Sequence, residues 1–189
     1  MSDLDGQKRA LRRELRAQRA ALPEAERAAA SARICEAIEA LPAWASATVV
    51  AIFLPLPAEV DLRALIGGER RFALPVVLAR HQPLVFRAYR DGDPLVASTF
   101  GVAEPTDAAP HVPLDAIDLV VVPALSIDDL GLRLGYGGGF YDRTLPLMTR
   151  ATRVGACFEA LRRHRLPAGD LDEPLHVVVS EASTRTVEV

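Results

Sequence analysis

The sequence predicts an α/β fold of three layers, with a mostly parallel central sheet flanked by helices in a Rossmann-like arrangement. Two apolar, β-branched runs, residues 48–54 and 117–122, carry that prediction. A strand without polar alternation is one covered on both faces, as central parallel strands are. The third observation is the alternation of strand-like and helix-like segments with no repeat or linker between them, so one domain is expected over residues 1–189. A chain of 189 residues is near the usual single-domain size.

Taken in order, residues 7–19 are rich in strong helix formers, and Leu4, Leu11, Leu15 and Leu22 are spaced for one helix face. Lys8, Arg12, Arg16 and Arg19 recur at intervals of four, four and three, a cationic stripe beside the leucines. Pro23, with Glu24 and Glu26 after it, suits the opening turn of a second helix that carries Ile34, Ile38 and Leu41 inward and stops at Pro42. Beyond the first strand the pattern predicts a short helix at 60–66, strands at 72–78 and 84–89, and a turn at Asp91-Gly92-Asp93-Pro94. The second apolar strand leads into a glycine-rich loop that ends at Gly139. A short helix at 140–148, weakened by Pro146, and strands at 154–158 and 176–179 follow.

Composition narrows the function classes. Half of the residues are apolar and a quarter charged, with a mean hydropathy of +0.14, which excludes a disordered chain. The longest apolar stretch, residues 48–57, is half of the roughly 20 residues that a bilayer demands. The amino terminus has no apolar signal core, so a cytoplasmic setting and no membrane partner are expected. A net charge of -3 and a pI near 5.8 give no overall pull towards nucleic acid, and none is expected as a partner. Cys35 and Cys157 lack the spacing of a zinc site or disulfide scaffold and read as reduced, buried hydrophobes. His81, His111, His164 and His176 show no spacing that suggests a triad or a metal cluster.

The chemistry concentrates in residues 131–143, where five of the twelve glycines fall within nine positions. Placed after a buried strand and before a helix, such a loop lets bare N–H groups converge on an anion, with the helix amino terminus adding partial positive charge. A solvated loop is the plainer alternative. The Walker A and dinucleotide-binding spacings are both absent. Of the 22 basic residues only Lys8 is a lysine, which favours a point-charge role there. Arg16 and Arg19 read as a solvated helix face.

The stretch Val121-Val122-Pro123 through Asp128, then Arg133-Leu134-Gly135-Tyr136-Gly137-Gly138-Gly139-Phe140-Tyr141-Asp142-Arg143, resembles the signature of the 5-formyltetrahydrofolate cyclo-ligase (5,10-methenyltetrahydrofolate synthetase) family. The resemblance extends to Lys8-Arg9-Ala10-Leu11-Arg12, to Phe53-Leu54 with Glu59, and in spacing to nearly the whole chain. It implies ATP- and Mg²⁺-dependent closure of 5-formyltetrahydrofolate to 5,10-methenyltetrahydrofolate, with ADP and phosphate released. The γ-phosphoryl group would pass to the formyl oxygen, giving an iminium phosphate that the N10 amine attacks.

By the same resemblance, Lys8, Arg133 and Tyr141 are catalytic. Lys8, Arg12, Arg133 and the loop residues Gly135, Tyr136, Gly137, Gly138, Gly139, Phe140 and Tyr141 bind ATP. Phe53, Leu54, Glu59, Phe100 and Tyr141 meet the folate, Glu59 facing the pterin's paired donors. Asp142 and Asp172 bind the metal, with Glu173 competing for the second place. Some family members carry basic residues where Tyr136 and Gly138 stand, so Lys8, Arg12 and Arg133 bring more of the charge in this chain. The partners implied are small molecules, and the chain is expected to act as a monomer. On the residues alone, a non-catalytic folate- or nucleotide-binding relative, a sugar-phosphate isomerase, an acyl-CoA transferase and an RNA-associated protein remain open.

Overall fold

The computed structural model describes residues 3–98 and 101–188. Two long helices, α1 (Asp3–Ala21) and α2 (Glu24–Glu39), open the chain, followed by the single turn α3 (Pro42–Ser46). Pro42 therefore starts a helix as well as ending one, because a proline at the first helical position gives up an N–H that has no partner there anyway. The strands are β1 (Val49–Ala51), β2 (Arg71–Val76), β3 (Val85–Tyr89), β4 (Leu95–Ala97), β5 (Ala103–Pro105), β6 (His111–Val112), β7 (Leu119–Pro123), β8 (Ser126–Ile127) and β9 (Arg133–Leu134). A five-residue helix, α4 (Phe140–Thr144), precedes β10 (Thr152–Ala156), β11 (Val177–Val179) and β12 (Thr184–Thr186).

Eight strands form the central sheet in the order β12-β11-β10-β7-β1-β2-β3-β6. The pairs β11–β10, β10–β7, β7–β1 and β1–β2 are parallel, and β12, β3 and β6 join through antiparallel pairs at the two sides. Period-two alternation sends successive strand residues to opposite faces. Val50, Ile52, Leu119 and Val121 join Leu15 of α1 and Ile34 and Ile38 of α2 in one core. Val49, Ala51, Val120 and Val122 join Leu145, Met148 and Leu175 in the other. Both sets are buried, which is why the two runs show no polar alternation. The expected three layers are present, but the long helices lie on one face only. The opposite face is covered by α4, 3₁₀ turns and loops, because the segment after β7 is given over to the glycine-rich stretch.

Several expected elements are shorter. The strand at 48–54 is hydrogen-bonded as a ladder only over β1 and continues extended, with Ile52 N–H donating to Ala73 O at 3.0 Å. The helix at 60–66 is a single 3₁₀ turn, Arg63–Leu65. The helix at 140–148 stops at Thr144 and tightens into a 3₁₀ turn, Leu145–Leu147, where Pro146 lacks the N–H that an α-helix would use.

Chain direction places the functional edge. From β1 the chain moves outward to β2 on one side, whereas from β7 it moves through β10 to β11 on the other. Connections leaving the carboxyl ends of β1 and β7 therefore diverge and open a crevice between them. Gly155, in β10, keeps the sheet close to its second cover: a Cβ there would lie 2.2 Å from Leu175 Cδ1 and 2.6 Å from Ile127 Cδ1. Both neighbours are fully buried and have nowhere to go. Gly155→Ala is expected to lower the unfolding free energy by about 1–3 kcal/mol, the usual scale of overpacking, read as an earlier midpoint in urea denaturation.

Candidate active site

The crevice is a cleft of about 700 Å³ lined from four directions. α1 contributes Lys8, Arg12 and Arg16. The segment after β1 brings Phe53, Leu54 and Glu59, and the stretch from β9 into α4 brings residues 133–142. Asp172 closes the far end. Every expected site residue except Phe100 lines this one cleft. Phe100 lies outside the described residues.

A hairpin unforeseen from the sequence delivers Arg133. β8 and β9 pair antiparallel around the turn Asp128-Asp129-Leu130-Gly131, and the Asp-Leu-Gly string was its available signal. Asp128 is 1% exposed. Its Oδ1 accepts the N–H groups of Leu130 and Leu132, each at 2.9 Å, and its Oδ2 accepts that of Leu166 at 3.1 Å. Asp128 is thus a builder of the hairpin and lies outside the cleft.

The glycine loop itself is open backbone. Among the described residues the N–H groups of Gly137, Gly138 and Gly139 donate to no acceptor in the chain. Gly137 adopts φ +98°, a conformation that L side chains rarely take, and the Arg12 guanidinium packs 3.4 Å from where a Cβ would be. Arg12 Nε also donates to Gly135 O at 2.8 Å. The loop therefore ends in bare amides with a cation laid along it, a cradle suited to an anion. Helix α4 behind it is one turn long, so the dipole expected there is small beside these amides and cations.

Lys8, Arg12 and Arg16 of the stripe line the cleft; Arg16 stays exposed, as expected, whereas Arg19, expected on the same solvated face, is buried. Arg19 is 8% exposed. Its Nη1 donates to the Tyr136 hydroxyl and stands 3.6 Å from Glu59 Oε1. Arg16 and Arg19 lie over the Tyr136 ring, 5.5 and 5.6 Å from its centroid. The stripe's periodicity was legible, but the burial of Arg19 was not, since its partner Tyr136 is more than a hundred residues away.

At the other end, charge is arranged in pairs. Lys8 Nζ is 2.5 Å from Asp172 Oδ2, which also accepts the Gly169 N–H at 2.6 Å. Arg133 Nη2 is 2.5 Å from Asp142 Oδ1, and Arg133 Nη1 donates to Glu173 O at 2.8 Å. Burial pulls the Arg133 guanidinium below its ordinary range, with Asp142 pushing back. The Glu173 carboxylate turns instead to Arg153, at 3.0 Å, and does not line the cleft, so of the two neighbouring candidates Asp172 is the one on its wall.

These contacts leave Asp142 Oδ2 and Asp172 Oδ1 without hydrogen-bond partners among the described residues. Two hard carboxylate oxygens on the wall of a cleft fit Mg²⁺, which takes one or two protein carboxylates and completes its shell with phosphate and water. No group of three or more His, Cys, Asp or Glu side chains suited to a metal occurs among the described residues, so an all-protein cage is not what this site offers.

The remaining wall is apolar and acidic. Phe53 is buried, Leu54 is half-buried, and Tyr141 has its ring 6.0 Å from Arg133 Cζ. Burial raises the Tyr141 hydroxyl well above its ordinary range, which keeps it a neutral donor. Glu59 accepts the Leu56 N–H at 2.8 Å on Oε2 and the Tyr136 hydroxyl on Oε1. A second buried carboxylate, Glu104 of β5, also lines the cleft and accepts the Val77 N–H at 3.3 Å. No sequence signal marked it. Outside the cleft, burial pushes the Cys35 thiol up to about 11 and the Cys157 thiol up to about 12, so both are unreactive.

Three comparisons bear on this architecture. Residues 5–181 match the model of the 5-formyltetrahydrofolate cyclo-ligase family. The 5-formyltetrahydrofolate cyclo-ligase of Escherichia coli K12 is 33% identical over 147 residues, 74% of this chain and 81% of that protein. The probable 5-formyltetrahydrofolate cyclo-ligase of Schizosaccharomyces pombe is 27% identical over 79% of this chain and 83% of its own. Among solved structures, the 5,10-methenyltetrahydrofolate synthetase of Aquifex aeolicus superposes with a TM-score of 0.85 at 29% identity, covering 96% of this chain and 93% of that one. The Mycoplasma pneumoniae 5,10-methenyltetrahydrofolate synthetase, at 21% identity and a TM-score of 0.73 over 92% and 98% of the two chains, shares the fold.

Glu59 gives this site a pH signature. Burial holds its carboxyl above the usual range, and the Leu56 N–H and Arg19 only partly oppose this. The folded chain then binds that proton more tightly than the unfolded chain does. The stabilisation is complete below the ordinary value of about 4.3 and is lost as pH rises through the raised folded value. Glu59→Gln is expected to flatten unfolding free energy against pH over that interval, measured by urea titration at a series of pH values.

Proposed function

The chain belongs to the 5-formyltetrahydrofolate cyclo-ligase family, and on that premise we propose that it closes 5-formyltetrahydrofolate to 5,10-methenyltetrahydrofolate, using ATP and releasing ADP and phosphate. The observation that carries this reading is the meeting, in one cleft, of open glycine amides and the cations Lys8, Arg12 and Arg133 with a buried carboxylate and an apolar wall. The first group is what a triphosphate requires, and the second is what a pterin requires.

A formamide oxygen is a poor leaving group, so the γ-phosphoryl group of ATP passes to it, the N10 amine attacks the activated carbon, and phosphate departs with the C–O bond as N10 loses its proton. Enzymatic phosphoryl transfer rests on positioning and on neutralising charge. Lys8 and Arg12, one helical turn apart, hold phosphate oxygens from the α1 side, and the amides of Gly137, Gly138 and Gly139 hold them from the loop side. Arg133 supplies a buried charge near the transferred group, and the neutral Tyr141 hydroxyl donates a hydrogen bond. Phe53 and Leu54 exclude water from the pterin's flank, while Glu59 accepts from its ring N–H and amino groups.

The resting ion pairs fit this use. Lys8 is held by Asp172 and Arg133 by Asp142, so the cations stay in place and balanced until a polyanion takes over. Asp142 and Asp172 would then hold Mg²⁺, which neutralises phosphate charge when bound. The same reading has the chain act as a monomer in the cytoplasm on two small molecules, through one domain over residues 1–189. No helix among the described residues is long and apolar enough to cross a membrane.

Mixing the protein with Mg-ATP and 5-formyltetrahydrofolate is expected to produce the methenyl chromophore, followed by absorbance. Its absence at high enzyme concentration would reject the proposed reaction. Lys8→Ala and Asp142→Ala are each expected to lower the rate by about a hundredfold or more, the scale of losing one preorganised charge contact, with the far-ultraviolet circular dichroism of the folded chain retained. The unfolding midpoint of Asp142→Ala is expected to be lowered because Arg133 loses its partner. Near-normal rates in both would reject the site assignment. Chelation of Mg²⁺ is expected to stop turnover, and its restoration to recover it.

A further inference from the structure

Tyr136 is the only residue with a side chain among the five loop positions 135–139, and its contacts run to the opposite half of the cleft. Its ring packs against Arg16 and Arg19 of α1. Its hydroxyl accepts from Arg19 Nη1 and donates to Glu59 Oε1. Arg19 Nη1 and Glu59 Oε1 themselves stand 3.6 Å apart, an ion pair longer than a hydrogen bond, and the hydroxyl sits between them. Arg19 and Glu59 side chains are only 10% and 6% exposed, so the tyrosine hydroxyl bridges a buried ion pair by hydrogen bonds.

Tyr136 is equally tied to the phosphate side. The residue before it, Gly135, accepts from Arg12 Nε at 2.8 Å, and the residue after it, Gly137, has the Arg12 guanidinium against its Cα. One short segment therefore joins the phosphate-binding cation to the buried carboxylate. The Glu59 carboxylate receives one donor on each oxygen, Leu56 N–H and Tyr136 O–H, which orients it and leaves each oxygen able to accept once more. A paired-donor edge needs that arrangement.

Resting on the reading proposed above, we propose that Tyr136 couples the two substrate sites, so that nucleotide phosphate bound on the glycine loop raises the affinity for the folate substrate. An anion gripped by Arg12 and the loop amides restrains the backbone that carries Tyr136. The hydroxyl then holds Glu59 in place before the pterin arrives, and less ordering remains to be done on folate binding. By linkage the folate substrate raises nucleotide affinity by the same factor. Tyr136 acts here as a positioning residue through Glu59.

The test is isothermal titration calorimetry of 5-formyltetrahydrofolate into the protein, with and without the β,γ-imido analogue of ATP and Mg²⁺. In the wild type the analogue is expected to tighten folate binding roughly tenfold, within the usual range of coupling between sites. In Tyr136→Phe, which keeps the ring on which Arg16 and Arg19 pack, the ratio is expected to fall to near one. Tyr136→Leu, lacking ring and hydroxyl, should give the same ratio. The ratio is taken within each variant, so a merely structural role, which weakens both ligands or lowers the unfolding midpoint, leaves it at the wild-type value and overturns the coupling. A wild-type ratio of one also overturns it. If the wild type binds neither ligand, the proposed function falls and the coupling with it; if it binds and converts both while Tyr136→Phe keeps the full ratio, the coupling alone falls.

Discussion

Four basic side chains on one face of α1 point to the cleft edge, and those drawn from water, Lys8, Arg12 and Arg19, each meet an acceptor there. A charge taken from water is unfavourable by several kcal/mol unless it is paired and hydrogen-bonded. Lys8 finds Asp172, Arg12 the carbonyl of Gly135, Arg16 the face of Tyr136, and Arg19 the Tyr136 hydroxyl with Glu59 behind it. These contacts fix the helix to the carboxyl edge of the sheet, and the cleft is the space that they enclose. On the proposed reading, a site for a polyanion carries its own anions in its place. On that reading, exchange of Asp172 and Asp142 for phosphate would move charge between partners already in place.

The sheet makes this possible by diverging at β1 and β7. Both strands are buried on both faces and tied at their starts by Asp118, whose Oδ2 accepts the Thr48 and Val49 N–H groups at 2.9 Å each. Their far ends are free to carry Phe53 and Leu54 on one side and the β8–β9 hairpin on the other. The long helices occupy a single face, and the opposite face is closed by short turns. The length of chain that could have formed a crossover helix after β7 forms the hairpin and the glycine loop instead. The thin second cover is the structural counterpart of a large functional loop.

Much of this was legible in the sequence for local reasons. The two apolar runs, the leucine and basic stripes of α1, and Pro23 and Pro146 act through neighbours three or four residues away or through the proline ring itself. The glycines of residues 135–139 announced a bare loop because few other uses concentrate that residue type. What escaped was short or remote. The β4–β5 hairpin has three residues in each strand, and its exposed residues carry no clear alternation. Glu104 looks like any surface glutamate until the fold buries it beside Val77. Arg19 read as solvated because nothing near it in sequence speaks of Tyr136.

The sequence by itself determined where the long helices and the central strands lie, which faces are apolar, and that a glycine-rich loop follows a buried strand. Each of these follows from short-range sterics and from the period of apolar residues. Only the tertiary structure decided which carboxylate answers which cation, that Asp172 and not Glu173 faces the cleft, and that Tyr136 joins Arg19 to Glu59. Contacts across 77 positions, from Tyr136 to Glu59, and 164, from Lys8 to Asp172, depend on where the sheet sends its loops. Two oppositely charged groups attract according to distance and burial, quantities that exist only after the chain has folded.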